Sequence, residues 1–417
     1  MNPIRSRSAG LFICLWLVVS VAAVAADWPQ FLGPSRDGKS AETGLISRFP
    51  ADGPQVLWKR ELGVGMSGFA VSNDVVFTTY QDGTSQYVIA MNSSTGATLW
   101  QSAIGEAYEN AMGNGPRATP TVAGDAVFAL TGEGILAALD RESGAVLWKV
   151  NVPRLLGGSP TEYGNACSPL VVGRNVIVQA NGTKGRVAAF GASDGQLAWA
   201  SGGKGTSGYS SPVLLNLQQT PQVVAFTGDA VLGIQPETGA ELWRYPWETD
   251  YDCNTASPVQ LSDQTLLISS GENHGSAILT VSRQGDSWNV ESTWESLGRQ
   301  SVLRAEWQTP VLLDGYLYAL DNVGSAGPIT NLVCVRVSDG KQMWIQPRFG
   351  KSNLVAAAGR LYLSNMNGEV IIGDASPDGF RETARHKVIE TTRQAPVIAN
   401  GQLYLRDDRH VVCLSVK

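Results

Sequence analysis

The stretch ALDRESGAVLW, Ala138 to Trp148, decides the fold because it is said again and again along the chain. AMNSSTGATLW ends at Trp100, AFGASDGQLAW at Trp199, GIQPETGAELW at Trp243 and VRVSDGKQMW at Trp344. In each copy a short apolar run enters a turn of Ser, Thr, Asp or Glu, passes a Gly, and continues for three residues to a Trp. The Gly supplies the positive φ a tight hairpin requires, and the residues beyond it alternate as a strand does. Five copies of a strand, turn and strand with an aromatic at a fixed place are the mark of a repeat architecture.

Working outward, Trp58 and Trp294 keep the beat without the full phrase, the latter after a longer hairpin around Gly285. The steps from Trp to Trp are 42, 48, 51, 44, 51 and 50 residues, which accommodates four strands and their turns per unit. A second phrase opens each unit, a small residue and Pro before an apolar strand: ATPTV at Pro120, CSPLV at Pro169, SSPVLL at Pro212, ASPVQL at Pro258, QTPVLL at Pro310 and QAPVI at Pro396. Pro is tolerated at the first position of a strand, where no ladder bond is needed. Degenerate starts near Gly68 and Leu354 bring the number to eight. Residues 393–416 supply three strands with no Trp strand after them, and Gln55 to Leu62 supply a Trp strand with nothing before it. Together they complete one blade. The chain therefore reads as all-β, an eight-bladed β-propeller of four-stranded antiparallel blades, closed by pairing of an N-terminal strand with the C-terminal blade.

Composition agrees. Of 417 residues 43% are hydrophobic and 16% charged, with 46 Gly and 20 Pro, the signature of short strands and many turns. Arg5 and Arg7 precede an apolar run, Leu11 to Ala25, that ends in small residues; residues 1–25 read as a signal peptide, 26–51 as an N-terminal arm and 52–417 as the propeller. The run is shorter than the ~20 residues of a spanning helix. Cys14 follows Ile13 rather than a small residue, so no convincing lipobox is present, and the mature chain is expected in the periplasm or secreted, as a monomer. Taking Arg5 and Arg7 from 31 basic side chains leaves 29 against 37 acidic ones, a net charge of −8, which excludes the basic field that nucleic acid or anionic lipid requires. Cys167, Cys253, Cys334 and Cys413 fall in four repeats without metal-site spacing and read as buried free thiols.

The phrases ending in LW resemble the tryptophan-docking motifs of the quinoprotein-type (PQQ-like) propellers over residues 52–417, a group that includes alcohol dehydrogenases using pyrroloquinoline quinone and the non-enzymatic, BamB-like assembly subunits. DWPQFLGPSRDGKS, Asp27 to Ser40, resembles the N-terminal signature of a secreted planctomycete-type group, which brings no activity with it. The resemblance implies structural docking positions at Gly96 and Trp100, Gly144 and Trp148, Gly195 and Trp199, Gly239 and Trp243, and Gly340 and Trp344, with Trp58 and Trp294 in the same role. After Gly379 the Trp position holds Thr383, so that blade contact is expected to be weaker or differently filled.

Enzymes of the family hold the quinone on the ring axis beside a calcium ion, an aromatic floor and often a disulfide between adjacent cysteines. No adjacent cysteines occur here. The residues placed toward the axis, just before each first strand, are Arg117, Glu162, Asn165, Tyr209, Asp250, Asp252, Asn254, Arg304, Glu306, Trp307 and Arg393. Arg117, Asn165, Tyr209, Asn254, Trp307 and Arg393 are the candidates for holding a cofactor, Asp250, Asp252 and Asn254 for a metal, and Asp252 for the base of a dehydrogenase. The alternate oxygens of ETDYDCN open like a calcium loop, but Thr255 and Leu261 stand where such a loop needs Gly and Glu. GVGMSG at Gly63 and GNGPRA at Gly113 lack the strand and helix of a dinucleotide site and read as blade entries. With His274, His386 and His410 widely spaced, zinc and Ser-His-Asp chemistry have little to build on. The main expectation is a non-catalytic periplasmic scaffold that holds a protein partner or small ligand on its loop faces or axial funnel and carries no cofactor. The alternative is a quinone- and calcium-dependent alcohol or sugar dehydrogenase.

Overall fold

A computed structural model describes residues 26–324 and 329–417; the expected signal peptide lies outside the described residues. Within them the strands form eight sheets of four antiparallel strands, one of which gains a fifth, parallel strand from the arm. Blade one comprises Ala70–Ser72, Val75–Gln81, Ser85–Asn92 and Thr98–Glu106. Blades two to seven begin with Thr121–Ala123, Leu170–Val172, Val213–Leu217, Val259–Gln260, Val311–Leu313 and Ser352–Ala357. The eighth is composite: Val397–Ala399, Gln402–Arg406 and His410–Ser415 take Val56–Glu61 as their outer strand, with Trp58 opposite Cys413. Closure by the two chain ends leaves no open edge between last blade and first.

The core is a series of wedges between neighbouring blades rather than one central mass. Phe128 and Leu136 of blade two pack with Val176 and Phe190 of blade three, for instance, and Leu320 and Leu332 of blade six with Leu361 and Ile371 of blade seven. At the outer end of each wedge the docking aromatic meets not the Gly of its own hairpin but the Gly of the next. Trp58 lies on Gly96, Trp100 on Gly144, Trp148 on Gly195, Trp199 on Gly239 and Trp294 on Gly340. The indole N–H then donates to a carbonyl three residues before that Gly: Trp58 to Ser93 at 2.7 Å, Trp100 to Arg141 at 3.0 Å, Trp148 to Ala192 at 2.9 Å and Trp199 to Pro236 at 3.0 Å. Trp344 makes the same bond to Ser376, 2.8 Å, and packs beside Phe380.

Trp243 departs from the series. Blade five has a long hairpin, Gly275–Gln284 and Ser287–Leu297, with Gly285 clear of other atoms, so no docking turn stands in reach. Trp243 instead donates to Gln222 Oε1 of its own blade at 2.6 Å, and Trp247 fills the wedge, donating to Ser270 Oγ at 2.9 Å. Where Thr383 replaces the aromatic, the arm bridges blades seven and eight: the Ile46 N–H donates to Val416 O at 2.9 Å and the Ile46 carbonyl accepts from Tyr362 Oη at 3.2 Å.

The Ser/Thr-Pro phrase has a second use. Gly68 N–H donates to Thr119 Oγ1, Thr119 N–H to Ser168 Oγ, Ser168 N–H to Ser211 Oγ, Ser211 N–H to Ser257 Oγ and Ser257 N–H to Thr309 Oγ1, over 2.9–3.3 Å. Each blade entry thus satisfies the buried backbone donor of the one before, a belt of hydroxyls around the axis through six blades.

The arm crosses the foot of this belt. Trp28 exchanges backbone bonds with Val71 of blade one, and Pro29 accepts from Val122 of blade two. Arg36, 4% exposed, donates to the carbonyls of Ser168, Pro169 and Pro212 in blades three and four. Burial lowers its pKa to about 10, still charged at neutral pH. Gly38 abuts Val311 of blade six, Lys39–Ser40 pairs with blade seven, and Glu42 accepts from Gly401 N–H of blade eight at 2.8 Å. The axis is therefore closed at this end by the chain's own residues.

Candidate functional site

On the opposite face, the loops that lead into the first strands surround a cavity of about 600 Å³. Its floor is the arm, Trp28, Phe31 and Leu32, beside Phe69 of blade one; Met66 and Met112 line one wall and Tyr163, Tyr209 and Tyr251 another. Because the arm closes the far end, the cavity is blind. Its size falls in the range of ligand pockets, and its lining sets seven aromatic side chains among apolar and polar ones and five charged ones.

Two of these aromatics are held in a backbone conformation that bulky residues seldom adopt: Trp307 has φ 64° and Tyr251 φ 66°. Trp307 is kept there from both sides. Its N–H donates to Thr255 Oγ1 at 3.1 Å, and the Lys351 ammonium lies 4.0 Å from its ring centroid. Lys351 also pairs with Glu306 Oε1 at 2.9 Å, while Glu306 Oε2 is buried without a hydrogen-bond partner. Burial raises the Glu306 pKa, an effect that Lys351 offsets in part. Glu272 joins this acidic side. Cys253, lining the cavity next to it, is half-buried rather than buried like Cys167, Cys334 and Cys413; burial and the neighbouring carboxylates push its thiol up to about 12, so it is not a thiolate at neutral pH.

Across the cavity stand two guanidinium groups. Arg117 donates to the carbonyls of Tyr163 at 2.6 Å, Gly113 at 2.7 Å and Gly115, and sits over the Tyr108 ring; burial lowers its pKa, and the positive charge of Arg393 lowers it further. The GNGPR loop is thus folded around its own arginine. Arg393 reaches only Met112 O at 3.3 Å and Met66 Sδ at 3.5 Å through Nη1, and its Nε is buried with no partner. Among the described residues neither arginine has a carboxylate within ion-pair distance.

Of the residues placed toward the axis from the sequence, Arg117, Tyr209, Glu306, Trp307 and Arg393 line the cavity. The others are elsewhere. Asn165, 2% exposed, donates to Gly132 O, and Asn254 is wholly buried, its amide donating to Thr227 and Gly228 and accepting from Ser270 Oγ at 2.6 Å. Both amides donate to backbone carbonyls and stand outside the lining, and Asn165 Oδ1 is buried with no partner among the described residues. Arg304 is locked in a buried, two-pronged pair with Asp321, 2.7 and 2.8 Å, and Glu162 is exposed. Met66, Met112, Tyr163, Tyr251, Glu272, Lys351 and the arm residues Trp28 and Phe31 were not among the sequence candidates.

A quinone and calcium centre needs several hard oxygens converging beside the ring. Asp250, Asp252 and Asn254 do not converge: Asp250 is exposed, Asp252 stands outside the cavity, and Asn254 faces the wall. No group of three or more His, Cys, Asp or Glu gathers to hold a metal among the described residues. The donor set does not fit that centre, and Asp252 is not among the residues that line the pocket, although Tyr251 and Cys253 on either side of it are. Nor is any described helix long and apolar enough to cross a membrane.

A family model described as outer membrane protein assembly factor BamB matches residues 42–153 and 84–346. The BamB of Yersinia pestis is 23% identical over 319 residues, 76% of this chain and 77% of that one. The crystal structure of BamB from Moraxella catarrhalis superposes with TM-score 0.61 at 17% identity, covering 87% of this chain and 99% of the other. The quinohemoprotein alcohol dehydrogenase of Comamonas testosteroni gives 0.66 at 12% identity, covering 95% and 81%. At these identities the structural matches establish the fold.

Proposed function

Because the chain belongs to the BamB family of quinoprotein-type propellers, we propose that it is a non-catalytic binding protein of the cell envelope, holding a protein partner at the mouth of its axial pocket. The observation that carries this reading is the blind cavity with two aromatics in the left-handed backbone region, Trp307 held at its wall and Tyr251 at its rim. Strained backbone persists where the surroundings over-determine it, and it clusters at binding sites. Tyr251, 65% exposed, and Met112, 44% exposed, offer apolar surface on the loop face. The curated relatives are named as assembly factors, which supports a partner that is itself a protein.

The test is photo-crosslinking in cells that make the protein, with the reactive residue placed at Met112 or Tyr251 on the rim and, as controls, at Leu99 or Leu147 on outer strands. A discrete adduct from the rim positions and none from the outer ones is the expected result. Equal labelling at both, or none at the rim, overturns the proposal.

A further inference from the structure

The pocket is electrically lopsided. On its acidic side Glu306 is already paired with Lys351 through Oε1. On the other side Arg117 and Arg393 flank the same glycine: Arg117 Nη2 donates to Gly113 O at 2.7 Å, a β-carbon on Gly113 would stand 3.1 Å from Arg393 Nη1, and among the described residues neither arginine has a carboxylate within ion-pair distance. Two like charges on one wall of a low-dielectric pocket repel each other, and an anion between or beside them relieves the repulsion. The loops are shaped to hold the pair in place. A β-carbon at Gly113, φ 128°, would stand 3.1 Å from Arg393 Nη1, closer than ordinary contact, and at Gly164, φ 83°, one would stand 2.9 Å from Arg117 Nε.

Resting on the reading of the pocket as a partner site, we propose that Arg393, supported by Arg117, takes a carboxylate of an extended peptide, either a chain's C-terminus or an Asp or Glu side chain. The buried Nε of Arg393 is a donor with no partner among the described residues, and a carboxylate accepts from Nε and an Nη together in the two-pronged geometry that guanidinium favours. A peptide suits the rest of the wall better than a compact acid does. Met66 and Met112, beside Arg393, are unbranched thioether chains that repack around differing side chains. Trp28 and Phe31 offer a flat floor for an apolar neighbour of the acid. Thr255, Gln308 and Gln394 add uncharged hydrogen-bonding groups around the circumference.

The experiment uses the mature chain and four short peptides with a common aromatic core: one with a free C-terminal carboxylate, its C-terminal amide, the amide with one internal Glu, and the same with Gln. Affinities are measured by calorimetry for the wild type and for Arg393→Gln. The free acid or the Glu peptide is expected to bind about tenfold or more tightly than its uncharged counterpart, a difference of about 1.4 kcal/mol or more. That preference should fall to near unity in Arg393→Gln, with binding of the uncharged peptides unchanged. Which of the two acids wins tells a chain end from a side chain. If charged and uncharged peptides bind the wild type alike, and Trp307→Ala weakens both, the carboxylate proposal is overturned while the partner site stands. If no peptide binds but a compact aromatic carboxylic acid does, the peptide is overturned. If nothing binds and the rim crosslinks also fail, the pocket itself is not the site.

Discussion

Trp199 and Gly239, on neighbouring blades, share a single volume: a β-carbon on Gly239 would stand 2.6 Å from the Cδ2 atom of the Trp199 indole. Gly239 also has φ 74°, and Trp199, 7% exposed, donates to Pro236 three residues earlier. The Gly of one repeat is thus half of the docking site for the Trp of the repeat before. Trp199→Ala is expected to cost about 3–5 kcal/mol by cavity formation, and Gly239→Ala about 1–3 kcal/mol from clash and backbone strain. In the double variant the clash has nothing to strike, so only the strain remains, about 1 kcal/mol on top of the Trp loss. Urea unfolding of the four proteins gives the coupling directly; simple additivity would show that the two residues do not form one site.

Arg36 ties the arm to the wheel. Its guanidinium satisfies the carbonyls of Ser168, Pro169 and Pro212, and among the described residues no carboxylate is within ion-pair distance. Arg36→Met keeps the length of the side chain but leaves three buried acceptors without this donor, at about 1–3 kcal/mol each where no water replaces it. Arg36→Lys should recover only part of the loss, because an ammonium cannot fork to carbonyls on two blades. Denaturant midpoints order the three proteins wild type, Lys, Met; a Lys variant as stable as the wild type would mean that charge rather than geometry matters there.

Ring closure depends on ten or so residues at each end of the fold. Val56–Glu61 pairs with His410–Ser415, and Trp58 of that strand docks on blade one. A chain ending at Asp408 removes the strand between Gln402–Arg406 and Val56–Glu61, freeing two edges at once. Its thermal transition should move sharply down and broaden, and its solution aggregate content rise. A transition matching the full chain in midpoint and sharpness would show that the wheel holds without that strand.

How legible this was depends on the distance over which each feature acts. The blades were readable because strand, turn and Trp recur within one hairpin, and the closure because two incomplete units stood at the chain ends. Docking from one repeat onto the next is invisible in a single copy, since Trp199 and Gly239 meet only after the blades are stacked. The Pro phrase announced strand starts, yet the hydroxyls of Thr119, Ser168, Ser211, Ser257 and Thr309 carry a second message, a belt, that needs the ring to exist. Position before a first strand brought Arg117, Tyr209, Glu306, Trp307 and Arg393 to the cavity. The same rule failed for Asn165, Asn254 and Arg304, whose polar groups turn into the wall to satisfy carbonyls or Asp321. Trp28 and Phe31 had no local signal at all: an arm crosses the axis only because Arg36 and Gly38 are gripped by distant blades.

Glu306 gives the pocket a pH dependence whose sign can be worked out. Its folded pKa lies above the usual carboxylate value, chiefly because of burial and in lesser part because of Glu272, with Lys351 opposing. From the ordinary glutamate pKa, about 4.3, up to the raised one, the native state keeps a proton that the unfolded chain has lost. Native stability contributed by this group is therefore present at low pH and is lost as pH rises through that window, after which the penalty is constant. Glu306→Gln keeps the shape and removes the titration. Lys351 loses its partner but keeps the face of Trp307. The variant should match the wild type near pH 4, gain on it as pH rises, and hold a constant advantage toward neutrality, read as the difference in urea midpoint across a pH series. If the wild type instead gains on the variant as pH rises, the Glu306 to Lys351 attraction outweighs burial, and the acidic side of the pocket is held together by its ion pair rather than against its desolvation.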